Sequence, residues 1–173
     1  LIVIAPLLPV AALLIKLDSE GPVFYGCDRV GKDRQRFVMY KFRTMVETPQ
    51  QVGQSVSPQG DVRVTRIGRF LRRTKINELP QLYNILKGEM SFVGPRPEAV
   101  DLAELYPEEA NIVFTIKPGL VGPSQARFRN EEELYPEGED PKAFYIAHIL
   151  PEKLKIDMEY VGDPALGKYF YYI

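Results

Sequence analysis

Cysteine and histidine are almost absent: the 173 residues hold one of each, Cys27 and His148. A single thiol excludes a disulfide framework, and one thiol with one imidazole cannot supply the Cys/His sets of a structural zinc site. Their spacing recommends no Ser-His or Cys-His nucleophilic catalysis either. Also missing is an apolar run long enough to span a bilayer. The chain opens on fifteen uncharged residues, Leu1 to Ile15, before Lys16, whereas a spanning helix needs roughly 20. Chemistry must therefore come from carboxylates, lysines and arginines.

With 45% hydrophobic and 26% charged residues, the chain has enough apolar surface for the core of one compact domain, and wholesale disorder is excluded. The net charge of −1 conceals an asymmetry. Residues 16–96 hold 15 Lys and Arg against 8 Asp and Glu, while residues 97–173 hold 7 against 15. The basic part should meet something anionic. The slightly acidic whole, without a readout motif, argues against nucleic acid.

Residues 1–17 do not start on methionine and read as the remainder of a longer segment. Pro6 and Pro9 should break or kink a helix there. A membrane segment that enters and turns back fits better than a cleaved signal peptide or a buried core helix, because no small-residue cleavage site precedes Lys16. Residues 18–173 then form one domain outside the bilayer.

Turns at Gly21-Pro22 and Gly31-Lys32-Asp33 bracket a short strand, Val23 to Tyr25, and a longer one runs from Arg36 to Met45. Alternation places Val38, Tyr40 and Phe42 on an apolar face and projects Lys41 and Arg43 from the other. Residues 48–61 are rich in turn formers and read as a mobile loop. Arg63, Arg66, Arg69, Arg72 and Arg73, with Val64, Ile67, Phe70 and Leu71 between them, form a helical period with a basic stripe. That stripe suits phosphates, anionic lipid headgroups or water.

Leu79, Leu82, Tyr83 and Leu86 follow at helical spacing, with Pro80 suited to a first turn and Gly88 to a stop, so a helix should start near Asn77. Asn77 is then an N-cap and Glu78 a first-turn acid. As structure this is an ordinary capped helix; as chemistry, such an N-terminus attracts phosphate, and Glu78 can hold a divalent cation against it. Gly94, Pro95 and Pro97 make a rigid turn presenting Arg96. Beyond Glu98 the chain reads as helical, punctuated by Pro107 and Pro118. Glu131 to Glu133 look like a solvated helix start, and a long helical region from Asp140 to Tyr160 should be interrupted at Pro151. The rings of Tyr169 to Tyr172 suit a membrane interface, a core or an oligomer contact equally.

These segments resemble the bacterial sugar transferases, the small monotopic polyprenyl-phosphate phosphoglycosyl transferases. The resemblance rests on Ile15 to Phe24, Arg29-Val-Gly31, Tyr40-Lys-Phe-Arg-Thr-Met45, Asp61 to Thr74, Asn77-Glu-Leu-Pro-Gln-Leu82 and Ser91-Phe-Val-Gly-Pro-Arg-Pro97. Pro118-Gly-Leu120, the Arg127/Arg129 stretch and Glu131 to Tyr160 look like the family's C-terminal part. The resemblance implies transfer of a sugar 1-phosphate from a UDP-sugar to a polyprenyl phosphate, releasing UMP, with magnesium. It also implies a re-entrant membrane helix and a catalytic domain on the cytoplasmic face of the bacterial inner membrane, in contact with membrane lipids.

Most members carry an Asp-Glu pair after the arginine stripe, the Asp serving as the nucleophile toward the diphosphate. Here the pair reads Asn77-Glu78, and an amide is a far poorer nucleophile. Asn77 therefore marks a silenced nucleophile, a branch that uses Glu78 or direct attack by the lipid phosphate, or a membrane-surface module that binds without turnover. The catalytic positions are Asn77 and Glu78, with Glu78 also the magnesium ligand. Lys41, Arg72, Arg96 and Arg129 are the phosphate-binding candidates, Arg127 competing with Arg129. The fold expected is α/β or α+β: a small strand unit, amphipathic interfacial helices and a re-entrant N-terminal helix.

Overall fold

The computed structural model describes residues 6–46, 60–163 and 166–172. It has a mixed α/β architecture with small sheets. Among the described residues no helix is long and apolar enough to cross a membrane. Most of the loop expected at 48–61 lies outside the described residues.

Helix α1 (Leu7–Asp18) contradicts the expectation that the two prolines break it. Pro6 sits at its N-cap and Pro9 in its first turn, where the missing N–H has no intrahelical acceptor to lose. One side of α1 buries Ala11 and Ile15 with Phe42 and Leu71, while Val10, Leu13 and Leu17 on the other side stay exposed, as does Leu7 at the helix start. Its C-terminal end is tied down by side chains from elsewhere. Arg43 Nη2 donates to the Ser19 carbonyl at 2.8 Å and Nη1 donates to that of Glu20. Asp18 Oδ2 accepts from the Ile67 N–H at 2.9 Å.

Strands β1 (Phe24–Val30) and β2 (Arg36–Phe42) pair antiparallel from Phe24↔Phe42 to Val30↔Arg36. Strand β1 is longer than expected and β2 shorter. The apolar face expected on β2 is also corrected. Met39, on the Lys41 side, is as buried as Phe42, whereas Val38 is 40% exposed, because packing covers both faces of the sheet.

Helix α2 (Arg66–Arg73) starts at Thr65, whose side chain accepts from the Gly68 N–H. Gly68 is required by close approach, since a Cβ there would sit 2.0 Å from the Thr44 carbonyl oxygen. Arg63 lies before the helix and pairs with Asp61, so the exposed stripe reduces to Arg66, Arg69 and Arg73.

A 3₁₀ turn at Ile76–Glu78 leads into α3 (Gln81–Leu86). Asn84 of α3 is fully buried against the outer edge of β2: its Oδ1 accepts from the Tyr40 N–H at 3.1 Å and its Nδ2 donates to the Val38 carbonyl at 2.7 Å. One amide thus satisfies two strand groups. Asn84→Ala should lower unfolding free energy by about 2–4 kcal/mol, because both are left buried without partners; a urea denaturation series measures it.

The rest wraps the far side of the sheet. Strand β3 (Ser91–Val93), a turn, β4 (Glu98–Ala99), α4 (Val100–Ala103) and a 3₁₀ stretch, Glu108–Thr115, lead to β5 (Gly119–Val121). Strand β4 joins β1 to give the order β2-β1-β4, and β3 pairs parallel with β5. The helical reading beyond Glu98 is met only by short helical pieces, with β4 and β5 among them. Helix α5 (Pro123–Arg127) is anchored by Ser124 Oγ donating to Asp157 Oδ2 at 2.8 Å.

Helix α6 (Pro141–Phe144), a π turn at Tyr145–Ile149 and α7 (Leu150–Gly162) form the expected long helical region. The interruption falls one turn before Pro151, where the widened turn accommodates a ring that would otherwise clash with the carbonyl four residues back. Tyr145, Ile149, Leu150 and Leu154 pack there with Ala99, Leu102 and Ala110. Glu131 is not a merely solvated acid, since it accepts from buried Lys153 Nζ and from the Tyr135 hydroxyl. Helix α8 (Leu166–Tyr172) splits the aromatic run. Tyr169 and Tyr172 pack against the Val93–Tyr160–Val161 cluster, while Phe170 and Tyr171 are exposed.

Candidate active site

Two separate segments converge on Glu78. Strand β2 supplies Lys41, whose Nζ lies 3.6 Å from Glu78 Oε1. The turn between β3 and β4 supplies Arg96, whose Nη2 lies 3.6 Å from the same oxygen. That turn is fixed by the Gly94 N–H donating to the Val121 carbonyl and the Gly119 N–H donating to that of Pro95. A Cβ on Gly94 would meet the Lys117 carbonyl oxygen at 2.6 Å, so β3 and β5 close on it too tightly for any side chain. Arg96 is consequently held on rigid backbone, as its flanking prolines led us to expect.

The electrostatics follow from this packing. Burial alone would raise the Glu78 carboxyl, but Lys41 and Arg96 outweigh it and hold the group at about 2, ionised at neutral pH. Lys41 is pushed down to about 8, by burial first and then by the Arg96 guanidinium, with Arg29 adding to the effect and Glu78 opposing it. Arg96 keeps 36% of its side chain in solvent, Lys41 and Glu78 about half that or less.

Asn77 departs from the expected N-cap. It lies inside the 3₁₀ turn, buried, after Lys75 in a left-handed conformation at φ 59°. Its Oδ1 has no hydrogen-bond partner among the described residues. Helix α3 begins three residues beyond Glu78 and is only six residues long, so the positive field at Glu78 comes from Lys41 and Arg96 and not from a helix N-terminus.

The other two candidates stand apart. Arg72 Nε donates to Thr44 Oγ1 at 3.0 Å and Nη2 lies 2.9 Å from Met45 Sδ, which ties α2 to the chain just after β2. Arg129 is exposed beyond α5 and Arg127 is exposed at its last residue, and among the described residues neither pairs with Glu78. Arg29 was legible only as part of a motif. Its Nη1 lies 3.9 Å from Glu98 Oε1, bringing a third cation to the edge of the site.

For a metal, Glu78 offers one ionised carboxylate, and no group of three His, Cys, Asp or Glu residues gathers among the described residues. This fits magnesium, which takes one or two carboxylates and draws its other ligands from substrate phosphate and water. It does not fit a metal caged by protein alone.

Comparison with known proteins agrees with the resemblance. The sequence model of the bacterial sugar transferases matches residues 1–169. A UDP-N-acetylgalactosamine-undecaprenyl-phosphate N-acetylgalactosaminephosphotransferase of Aeromonas hydrophila is 42% identical, over 70% of this chain and 29% of that protein. An undecaprenyl-phosphate galactose phosphotransferase of Salmonella typhimurium is 38% identical, over 76% of this chain and 30% of that protein. An exopolysaccharide production protein PSS of Rhizobium leguminosarum is 44% identical, over 73% of this chain and 67% of that protein. The chain thus spans under a third of the two longer relatives and about two thirds of the shorter one. With the match running along almost its whole length, the chain belongs to the bacterial sugar transferase family.

Proposed function

We propose that the chain transfers a sugar 1-phosphate from a UDP-sugar to a polyprenyl phosphate, the first step of glycan assembly at a membrane. The observation that carries this reading is the convergence of Lys41, Arg96 and ionised Glu78, next in the chain to Asn77, whose Oδ1 has no partner among the described residues. Transfer between two phosphates concentrates negative charge, so stabilisation by fixed cations is the main demand on the protein. Lys41 and Arg96 bind and orient the diphosphate, while Glu78 keeps both from drifting and would hold magnesium. Bound there, magnesium would neutralise charge on the departing UMP phosphate.

Glu78 is engaged by Lys41 and Arg96, each 3.6 Å from its Oε1, and serves as their counter-ion. In the parent protein the lipid phosphate oxygen therefore attacks the sugar-bearing phosphorus directly, breaking its bond to the bridging oxygen and releasing UMP. Mixing the protein with undecaprenyl phosphate, magnesium and a panel of UDP-sugars tests this; no UMP from any of them refutes turnover. The amide at Asn77 favours a second reading, a module that binds nucleotide-sugar without turnover. That reading requires UDP affinity with no UMP release.

A membrane-facing surface is supported by the exposed Leu7, Val10, Leu13 and Leu17 of α1, with Phe70 and the α2 stripe of Arg66, Arg69 and Arg73. At 12 residues, α1 is about 18 Å long, short of a bilayer core of roughly 30 Å. Residues 1–17 therefore suit a segment that enters the cytoplasmic face and returns, with 18–173 as the catalytic domain. Cysteine-accessibility labelling should find both ends of that segment on the cytoplasmic side.

Lys41 makes the site pH-dependent in a defined direction. It is charged below about 8 in the fold, against an ordinary value of 10.5, so UDP affinity should fall as pH rises through that value. Lys41→Arg, which stays charged, should abolish the fall; calorimetric titrations from pH 6.5 to 9.5 measure both. Folding responds oppositely, because the cost of charging buried Lys41 is fully present below about 8 and is relieved progressively as pH rises from there to 10.5.

A further inference from the structure

We propose that Arg29 is a third cation of the phosphate cradle and contacts the nucleotide diphosphate together with Lys41 and Arg96. This rests on the function proposed above and adds a residue to it. In the β1–β2 register, Tyr25 faces Lys41, Cys27 faces Met39 and Arg29 faces Phe37, so Lys41 and Arg29 project from the same side of the hairpin. Strand β4 then lays Ala99 opposite Arg29, only three residues after Arg96. Three cations from three segments therefore meet at one place.

The acids at that place do not use Arg29 fully. Glu98 already accepts from the Tyr145 hydroxyl at 2.7 Å through Oε2 and from the Ala99 N–H at 2.9 Å through Oε1. Arg29 Nη1 stands 3.9 Å from it, beyond hydrogen-bonding distance, and Arg29 Nε is buried with no partner among the described residues. Glu78 is shared by Lys41 and Arg96. Counting Glu131, which also acts on Arg96 but is held by Lys153, four cations face three carboxylates, with unspent guanidinium donors in surroundings that penalise unbalanced charge. A diphosphate supplies the missing negative charge and oxygens suited to a planar fork of donors.

The experiment is titration of UDP without lipid acceptor, so that turnover plays no part, into the parent, Arg29→Met, Arg29→Lys and Glu98→Gln, with thermal unfolding of each. Arg29→Met should weaken UDP about tenfold or more, and Arg29→Lys, which keeps charge but loses the fork, by a few-fold. Glu98→Gln should bind UDP at least as well as the parent, having lost a competing anion. If Arg29→Met does not fold, Arg29→Lys decides: parent-like affinity overturns the proposal. So does Arg29→Met binding within about twofold of the parent, or Glu98→Gln losing as much affinity as Arg29→Met, since Arg29 would then act only by holding Glu98. In all these cases the parent still binds UDP and the proposed function stands; a parent that fails to bind UDP overturns both.

Discussion

Asn77→Asp should raise UMP release by roughly a thousandfold over the parent, measured with UDP-sugar, undecaprenyl phosphate and magnesium. The substitution exchanges only Nδ2 for oxygen, beside an Oδ1 that is buried with no partner among the described residues. Two adjacent carboxylates at 77 and 78 would ordinarily repel and one would take up a proton. Lys41 and Arg96 already balance the charge of Glu78, and the new carboxylate supplies the nucleophile toward the sugar-bearing phosphorus. The transfer then divides into two displacements, the second discharging a phosphosugar to the lipid. Rapid-quench experiments should trap that adduct in the Asp variant and not in the parent. Some stability should be lost before substrate arrives, visible as a lower melting temperature that UDP restores. An Asp variant no faster than the parent would sink the idea that this position is the nucleophile's.

Arg96→Ala should reduce kcat/KM by roughly a hundredfold, whereas Arg73→Ala should stay within about twofold of the parent. Arg96 faces Glu78 from a turn locked between two strands, so its orientation is settled before substrate binds. Arg73 is exposed at the end of α2 and its rotamers are unrestrained. Removing Arg96 also leaves Glu78 with Lys41 alone, so the alkaline limb of the pH profile should move upward as one cation ceases to repel the lysine's proton. Equal kinetics for the two variants would refute the ranking.

How much of this was readable from the residues depends on range. The Gly94–Pro97 turn was legible because its rigidity is local, and the Lys41–Glu78–Arg96 set because each lies in a dense motif. Asn77 was misplaced as an N-cap because capping preference is a local tendency, overridden when the chain buries the residue one turn ahead of the helix proper. The arginine stripe was overcounted for the same reason. Periodicity treats Arg63, Arg66, Arg69 and Arg72 alike, yet Arg63 pairs with Asp61 before the helix starts and Arg72 turns to Thr44. Arg29 and Glu98 are brought together by β1–β4 pairing across some seventy positions, a contact no window of sequence contains. The prolines of α1 were misjudged by their position in the helix, not by their chemistry.

The amide of Asn84 also determines how the molecule can meet its own copies. Strand β2 is the outer member of its sheet, and an open strand margin is a template onto which another chain can add. At Val38 and Tyr40 that margin is already occupied from within by the side chain of α3. Ribbon-to-ribbon association through the middle of β2 is thereby foreclosed, and loss of the amide exposes a sticky seam as well as weakening the fold.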